Sequence, residues 1–270
     1  MILPMSSPGF QMKRFYVRHD TSSMRVGTDG VLLGAWCPLA AENRRNEETE
    51  PPGREKDKNR VYRVLDAGTG CGIIALMVTQ RLEDMMVDGS AALLRGYSDW
   101  QVEGIDIDAA SVRQAAENFA ASPWNGHLRA FCSDVRDWEG MYNLIVSNPP
   151  FYNNSLACPE PRRAQARQAG QTLSFDDLAA AAARLLTPHG RLALILPSSE
   201  AEEMLRCAGQ KGLLVNERCD VSSKQGGTAK RVMLVFGRDV CPLRETSMVI
   251  YDADGSRSED YARLTERFYL

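Results

Sequence analysis

No Cys-x-x-Cys pair occurs in the sequence, and its three histidines, His19, His127 and His189, stand far apart. A structural or catalytic zinc site draws its ligands from recognisably spaced His and Cys, so no metal is expected. The seven cysteines, Cys37, Cys71, Cys132, Cys158, Cys207, Cys219 and Cys241, are scattered singly. Such usage fits a reducing compartment, where free cysteines serve as small buried apolar residues. Nor does any apolar run approach the ~20 residues needed to cross a bilayer. Met1–Phe10 has no basic stretch followed by an apolar core, so no secretory signal is expected and a cytoplasmic protein is the simplest reading. Charge of one sign is also wanting: 32 lysines and arginines against 35 aspartates and glutamates give a formal net charge of −3. A nucleic-acid partner would therefore need a local basic surface. Residues 42–60 lack any large apolar side chain and contain Pro51-Pro52-Gly53, which makes them a polar linker or insertion unable to offset its ordering entropy.

What remains of the 270 residues is long enough to bury a sizeable core. The expected organisation is one domain overall: an N-terminal capping segment over 1–41, a core over 61–240, and a strand–turn–helix extension over 241–270 packed on that core. The chemistry concentrates where apolar runs end. Leu144–Val146 gives way to Ser147-Asn148-Pro149-Pro150-Phe151-Tyr152, and two prolines cannot continue a strand. Asn148 offers a carboxamide oxygen, Pro149 a carbonyl without a donor, and Phe151 a flat apolar face. Two acceptors beside an aromatic plate suit a planar group bearing an NH2. Its lone pair is conjugated into the π-system, and accepting from both N–H groups would turn that pair out of the plane toward an electrophile.

Upstream, the strand Val61–Leu65 runs into Asp66-Ala67-Gly68-Thr69-Gly70-Cys71-Gly72 and then a helical stretch from Ile73 to Leu82. Glycines there allow a tight bend close to a ligand at a helix start. The dinucleotide fingerprint would require a third glycine where Ile73 stands. Further strands are expected over Gln101–Ile105, Leu128–Cys132, Arg191–Leu196, Leu213–Val221 and Arg231–Phe236. Helices are expected over Ala109–Ala121, Phe175–Leu186 and Ser198–Gly209. Thr187-Pro188-His189-Gly190 closes the second of these helices. Gly27–Trp36 reads as a turn, a capping Thr28 or Asp29 and a short apolar helix.

Asp-x-Gly-x-Gly-x-Gly resembles motif I of class I S-adenosylmethionine-dependent methyltransferases. The resemblance implies a Rossmann-like α/β fold, a seven-stranded mostly parallel sheet with an antiparallel last strand and helices on both faces. It implies S-adenosylmethionine as cofactor, with Asp66, Gly68, Gly70 and Gly72 near its methionine part and Thr28 and Asn148 alongside. By the same resemblance Asp106 accepts the ribose hydroxyls and Asp134 the adenine amino group; Asp108 is expected to cap the following helix.

Three regions together, Met24–Trp36, Leu65–Leu76 and Ser147–Tyr152, resemble the bacterial tRNA1(Val) adenine-37 N6-methyltransferase family. That resemblance implies methylation of an adenine N6 in the anticodon loop of a valine tRNA, with Asn148, Pro149 and Phe151 holding the base. Basic candidates for RNA contact are Lys13, Arg14, Arg167, Lys224, Lys230 and Arg231. Lys13–Arg18 reads equally well as an edge strand burying Phe15 and Val17. Arg162, Arg163 and Arg167 could equally belong to a solvated loop. A monomer without membrane or metal is expected. Two alternatives stay open: an rRNA guanine N2-methyltransferase, whose box commonly ends in His where this chain has Tyr152, and a catalytically inactive RNA-binding relative.

Overall fold

Residues 9–22, 26–39, 60–87, 97–149 and 173–270 are described by the computed structural model of the chain. Near the start, β1 (Gly9–Gln11) and β2 (Tyr16–Arg18) pair antiparallel. Phe15 and Val17 are buried, so the edge-strand reading of Lys13–Arg18 is the one found. Helix α1 (Thr28–Trp36) follows, but neither Thr28 nor Asp29 caps it; the N-cap is Gly27, without a side-chain bond. All of Gly30–Ala35 is buried, because α1 lies against α2 (Ile73–Val87). The approach depends on two small residues one turn apart. A Cβ at Gly34 would come within 3.0 Å of the Met77 side chain, and one at Gly30 within 3.3 Å of Ile73.

The main sheet is built from β3 (Val61–Ala67), β4 (Asp99–Asp106), β5 (Leu128–Cys132), β6 (Tyr142–Ser147), β7 (Leu186–Pro197), β8 (Leu214–Lys224), β9 (Arg231–Gly237) and β10 (Arg244–Tyr251). Their order is β10-β8-β9-β7-β6-β3-β4-β5. Only β9 runs against its neighbours. The expected seven strands and the antiparallel seventh are present, and β10 adds an eighth, parallel to β8. It falls where a strand is expected within 241–270; its first half, Arg244–Ser247, is polar and exposed, so the apolar pattern marks only the second half. A second departure is Thr187–Gly190, which does not close a helix but continues inside β7. There the register against β6 slips between Tyr142 and Leu144, an irregularity that tolerates Pro188.

Strand residues alternate between two apolar layers. Val64, Leu144 and Val146 join α1, α2 and α3 (Ala109–Ala121) with Tyr261 and Phe268 near the C-terminus. Leu65, Ile145 and Leu194 face α4 (Phe175–Leu185) and α5 (Ala201–Gln210). Helices therefore cover both faces, as parallel sheets require. The last helix, α6 (Glu259–Thr265), is capped by Ser258 and packs on β10 and α1. Since β3, β4, β5 and β6 are parallel, the residues after each reach the same rim, where α/β folds place their ligands. Among the described residues no helix is long and apolar enough to cross a membrane. No group of three or more His, Cys, Asp or Glu able to hold a metal ion occurs among them. The insertion expected at 42–60 lies, except for Arg60, outside the described residues.

Candidate active site

The rim is organised by a carboxylate beneath it. Asp66, next to last in β3, is fully buried, and its Oδ2 accepts from the Thr69 hydroxyl at 2.8 Å and the Ala75 N–H at 3.2 Å. One side chain thus ties the bend to the first turn of α2. The Gly68 and Thr69 N–H groups both donate to the Ile105 carbonyl at 2.9 Å, and the Gly70 N–H donates to Asp106 Oδ2 at 3.0 Å. Gly68, Gly70 and Gly72 have φ of +77°, +55° and +84°. A Cβ at Gly68 would meet no atom within 4 Å, so bare backbone faces open space there.

Asn148 arrives from the neighbouring strand. The Ser147 hydroxyl donates to the Ala67 carbonyl at 2.7 Å, clamping the end of β6 to the end of β3 and setting Asn148 beside the bend. Its Oδ1 is buried with no hydrogen-bond donor among the described residues. Leaving such an acceptor unsatisfied costs about 1–3 kcal/mol, a cost that an incoming N–H would remove.

A cavity of about 470 Å³ joins these parts, within the range of small-molecule sites. One wall is Gly68–Cys71 with Ile73, Ile74 and Asn148; a second is Gly27–Gly30 at the start of α1. The third comes from far along the chain: Val221, Ser223, Lys230, Arg231, Ile250 and Tyr251. Asp29 Oδ2 and Arg231 Nε, 2.8 Å apart, bind the second wall to the third. Burial pushes the Cys71 thiol up to about 12, so it lines the cavity as a neutral packing group.

Burial also raises the Asp66 carboxyl to about 7, against the Thr69 and Ala75 hydrogen bonds that favour its charge. The sign of the linkage follows. Unfolded, this carboxyl loses its proton near pH 4; folded, it keeps it until about pH 7. Its contribution to stability is therefore full below pH 4 and declines as pH rises to 7. Thermal unfolding of Asp66→Asn across that range should show a flatter pH dependence than the parent, and an unchanged slope would contradict the assignment.

Chain similarity agrees with this geometry. The family model for the methyltransferase small domain matches residues 55–208. Over 271 residues the chain is 36% identical to the tRNA1(Val) (adenine(37)-N6)-methyltransferase of Cronobacter sakazakii, covering 99% of this chain and 97% of that one. It is 38% identical over 263 residues to the enzyme of the same name from Aeromonas salmonicida, with 97% of each chain covered. The Bacteroides fragilis protein of that name is 33% identical over 98% of this chain and 99% of its own.

The chain belongs to this methyltransferase family.

Fold comparison agrees. A predicted O-methyltransferase structure from Agrobacterium tumefaciens superposes with a TM-score of 0.58 at 15% identity, over 90% of this chain and 98% of that one. A class I S-adenosylmethionine-dependent methyltransferase structure from Listeria monocytogenes gives 0.50 at 16% identity, over 71% and 60%.

For a methyltransferase of this family, the sequence-derived site residues divide into three groups. Thr28, Gly68, Gly70 and Asn148 meet at the cavity. Asp66, Gly72, Asp106 and Asp134 stand behind or beside it rather than on its wall. Asp106 accepts from the Gly70 and Asp108 N–H groups, and Asp108 caps α3 as expected. Asp134 faces the Arg136 guanidinium at 2.5 Å and accepts from the Arg136 N–H at 2.9 Å. That pairing holds its carboxyl below the usual range. Pro149 is buried next to Asn148; Phe151, Arg162, Arg163 and Arg167 lie outside the described residues.

The basic candidates differ in their partners. Lys13 Nζ donates to the Glu266 carbonyl at 2.6 Å. Arg14 binds Asp84 at 2.7 Å and also Glu83, with its guanidinium over the Trp124 ring at 5.2 Å. Both are fastened into the fold, and Arg231 is held by Asp29. Lys224 and Lys230 are exposed, and neither has an acidic partner among the described residues. Sequence reasoning missed Ser223, Ile250 and Tyr251 on the third wall, and Ser22, whose Oγ lies 3.6 Å from where a Gly70 Cβ would stand. No local signal marks them, because each reaches the bend from a distant part of the chain.

Proposed function

We propose that the protein transfers a methyl group from S-adenosylmethionine to N6 of adenine 37, in the anticodon loop of a valine tRNA. The reading rests on one observation above all: a buried, donor-less Asn148 Oδ1 on the cavity that the glycine bend also lines. The names of its relatives supply the base and the RNA. Such a protein would act in the cytoplasm, and we expect it to do so as a monomer.

The residues fit the cofactor. Gly68 and Gly70 give it bare backbone, Thr28 and the Asp29 carboxylate form the opposite wall, and Asp66 and Asp106 hold the bend in shape. S-adenosylmethionine brings a methyl group already activated on a sulfonium, so strong acid–base chemistry is not required. The protein's part is alignment. Asn148 Oδ1 would accept one N6–H and the Pro149 carbonyl the other, favouring a more tetrahedral nitrogen with its lone pair out of the ring plane. Phe151 would stack on the adenine. The displaced proton can leave to water after the bond forms. A loop base is already partly unstacked, which lowers the cost of turning it into a pocket.

The test is nucleoside mass spectrometry of tRNA from a deletion strain, before and after treatment with purified protein and cofactor. N6-methyladenosine should be missing at that position and restored by the protein; an unmodified product after treatment would overturn the reading. RNA affinity provides a second check. Lys230→Ala should lower affinity and reduce the salt slope by about one. Arg14→Ala should leave the slope unchanged and cost stability only, on the order of 1–2 kcal/mol from exposed ion pairs and a ring contact. A slope lowered by Arg14→Ala would return the N-terminal segment to the RNA surface.

A further inference from the structure

Tyr251 is a large side chain left 41% exposed at the end of the strand that completes the third wall of the cavity. Two cations flank it across the sheet. In the parallel pairing of β10 with β8, Tyr251 stands opposite Lys224. On its other side an isolated antiparallel bridge sets it opposite Arg257. Residues directly opposite on neighbouring strands share a face, so the sequence Lys224, Tyr251, Arg257 forms a row. A tight turn fixes that arrangement: Gly255 N–H donates to the Asp252 carbonyl at 3.0 Å and Asp252 N–H to the Ser256 carbonyl at 2.9 Å.

Among the described residues, neither Lys224 nor Arg257 has a carboxylate within ion-pair distance. The Arg257 guanidinium instead lies 4.1 Å from the Tyr269 ring centroid and 6.0 Å from that of Tyr261, contacts that steady it without neutralising it. The contrast with Arg14 and Arg231, each matched to an acid, is what singles the row out. An aromatic plate between two unmatched cations is the composition of a single-stranded nucleic-acid platform, bases stacking on the ring and phosphates meeting the charges.

We infer that the RNA strand flanking the target base runs across Lys224, Tyr251 and Arg257, with one unpaired base stacked on Tyr251. The inference rests on the proposed RNA methylation and adds the place where the strand leaves the cavity. Because Tyr251 lines the cavity that Asn148 also lines, the nucleotide it receives is a close neighbour of the one being methylated.

The experiment uses the full-length protein and a stem-loop RNA carrying the anticodon loop, with binding followed by fluorescence anisotropy over a salt series. Tyr251→Ala should weaken binding by about tenfold, and Tyr251→Phe should rescue it, since stacking needs the ring and not the hydroxyl. In steady-state assays the loss should fall on KM rather than kcat. Lys224→Ala combined with Arg257→Ala should reduce the salt slope by about two. Lys224 is exposed and its side chain has no acidic partner among the described residues, so Lys224→Ala alone, with its expected slope reduction of about one, carries the test if the other variants melt early. The inference falls if affinity and slope match the parent while the parent still methylates the stem-loop. If the parent methylates no RNA at all, the proposed function itself falls and takes this surface with it.

Discussion

Asn148→Ala is expected to lower kcat by about 10²–10³-fold, on the scale of removing a hydrogen-bonding group aimed at a reacting atom. The Kd for S-adenosylmethionine, read by calorimetry, should stay within about twofold of the parent value. The asymmetry comes from what the residue does in the free protein. Its Oδ1 makes no hydrogen bond among the described residues, so the fold does not depend on it. Truncation removes a buried acceptor that no donor among the described residues satisfies, and the melting temperature should be unchanged or slightly higher. A variant that loses activity and gains a little stability would be the signature of a residue kept for chemistry. Turnover near the parent level would remove Asn148 from the reaction and undo the proposed function with it.

Gly72→Ala should cost roughly 2–6 kcal/mol of stability, seen as a fall of several degrees or more in thermal melts. Two effects add. The backbone there has φ +84°, a conformation that costs an L-residue about 1–3 kcal/mol. The new methyl would also stand 2.4 Å from a ring carbon of Phe119, a side chain only 2% exposed and thus unable to swing away, and overpacking of this kind costs about 1–3 kcal/mol. Since α3 carries Phe119 and α2 begins at Ile73, relief by movement would shift the bend and weaken cofactor binding as well. Phe119→Leu added to Gly72→Ala should recover part of the loss, a coupling expected only between residues in contact. If Gly72→Ala melts with the parent, the packing account of this glycine is wrong.

The parts of the fold that sequence revealed are those whose causes are local. The span Ala109–Ala121 was readable to the residue because Asp108 caps it from the adjoining position. Asn-Pro-Pro ends a strand by its own chemistry. The bend at Gly68–Gly72 declares itself through glycines that sit at positive φ. What escaped depends on distant partners. Lys13 and Arg14 look like an RNA patch beside their aromatics, yet they are engaged by Glu266 and by Glu83 and Asp84, which no window of sequence connects to them. Asp134 is a different case: its partner Arg136 is only two residues on, a local pairing that sequence places in plain view. Pro188-His189-Gly190 carries every mark of a turn but runs through a strand irregularity, where Gly190 lets the chain pass the Tyr142 carbonyl; a Cβ there would stand 2.7 Å from that oxygen.

The ion pair between Asp29 and Arg231 joins residues separated by 202 positions, and the third wall closes only at Tyr251. During synthesis the glycine bend and Asn148 would leave the ribosome well before the strands that complete their enclosure. A nascent chain holding every motif residue would still present an open shelf rather than a reaction chamber. Enclosure therefore comes last in the order of assembly.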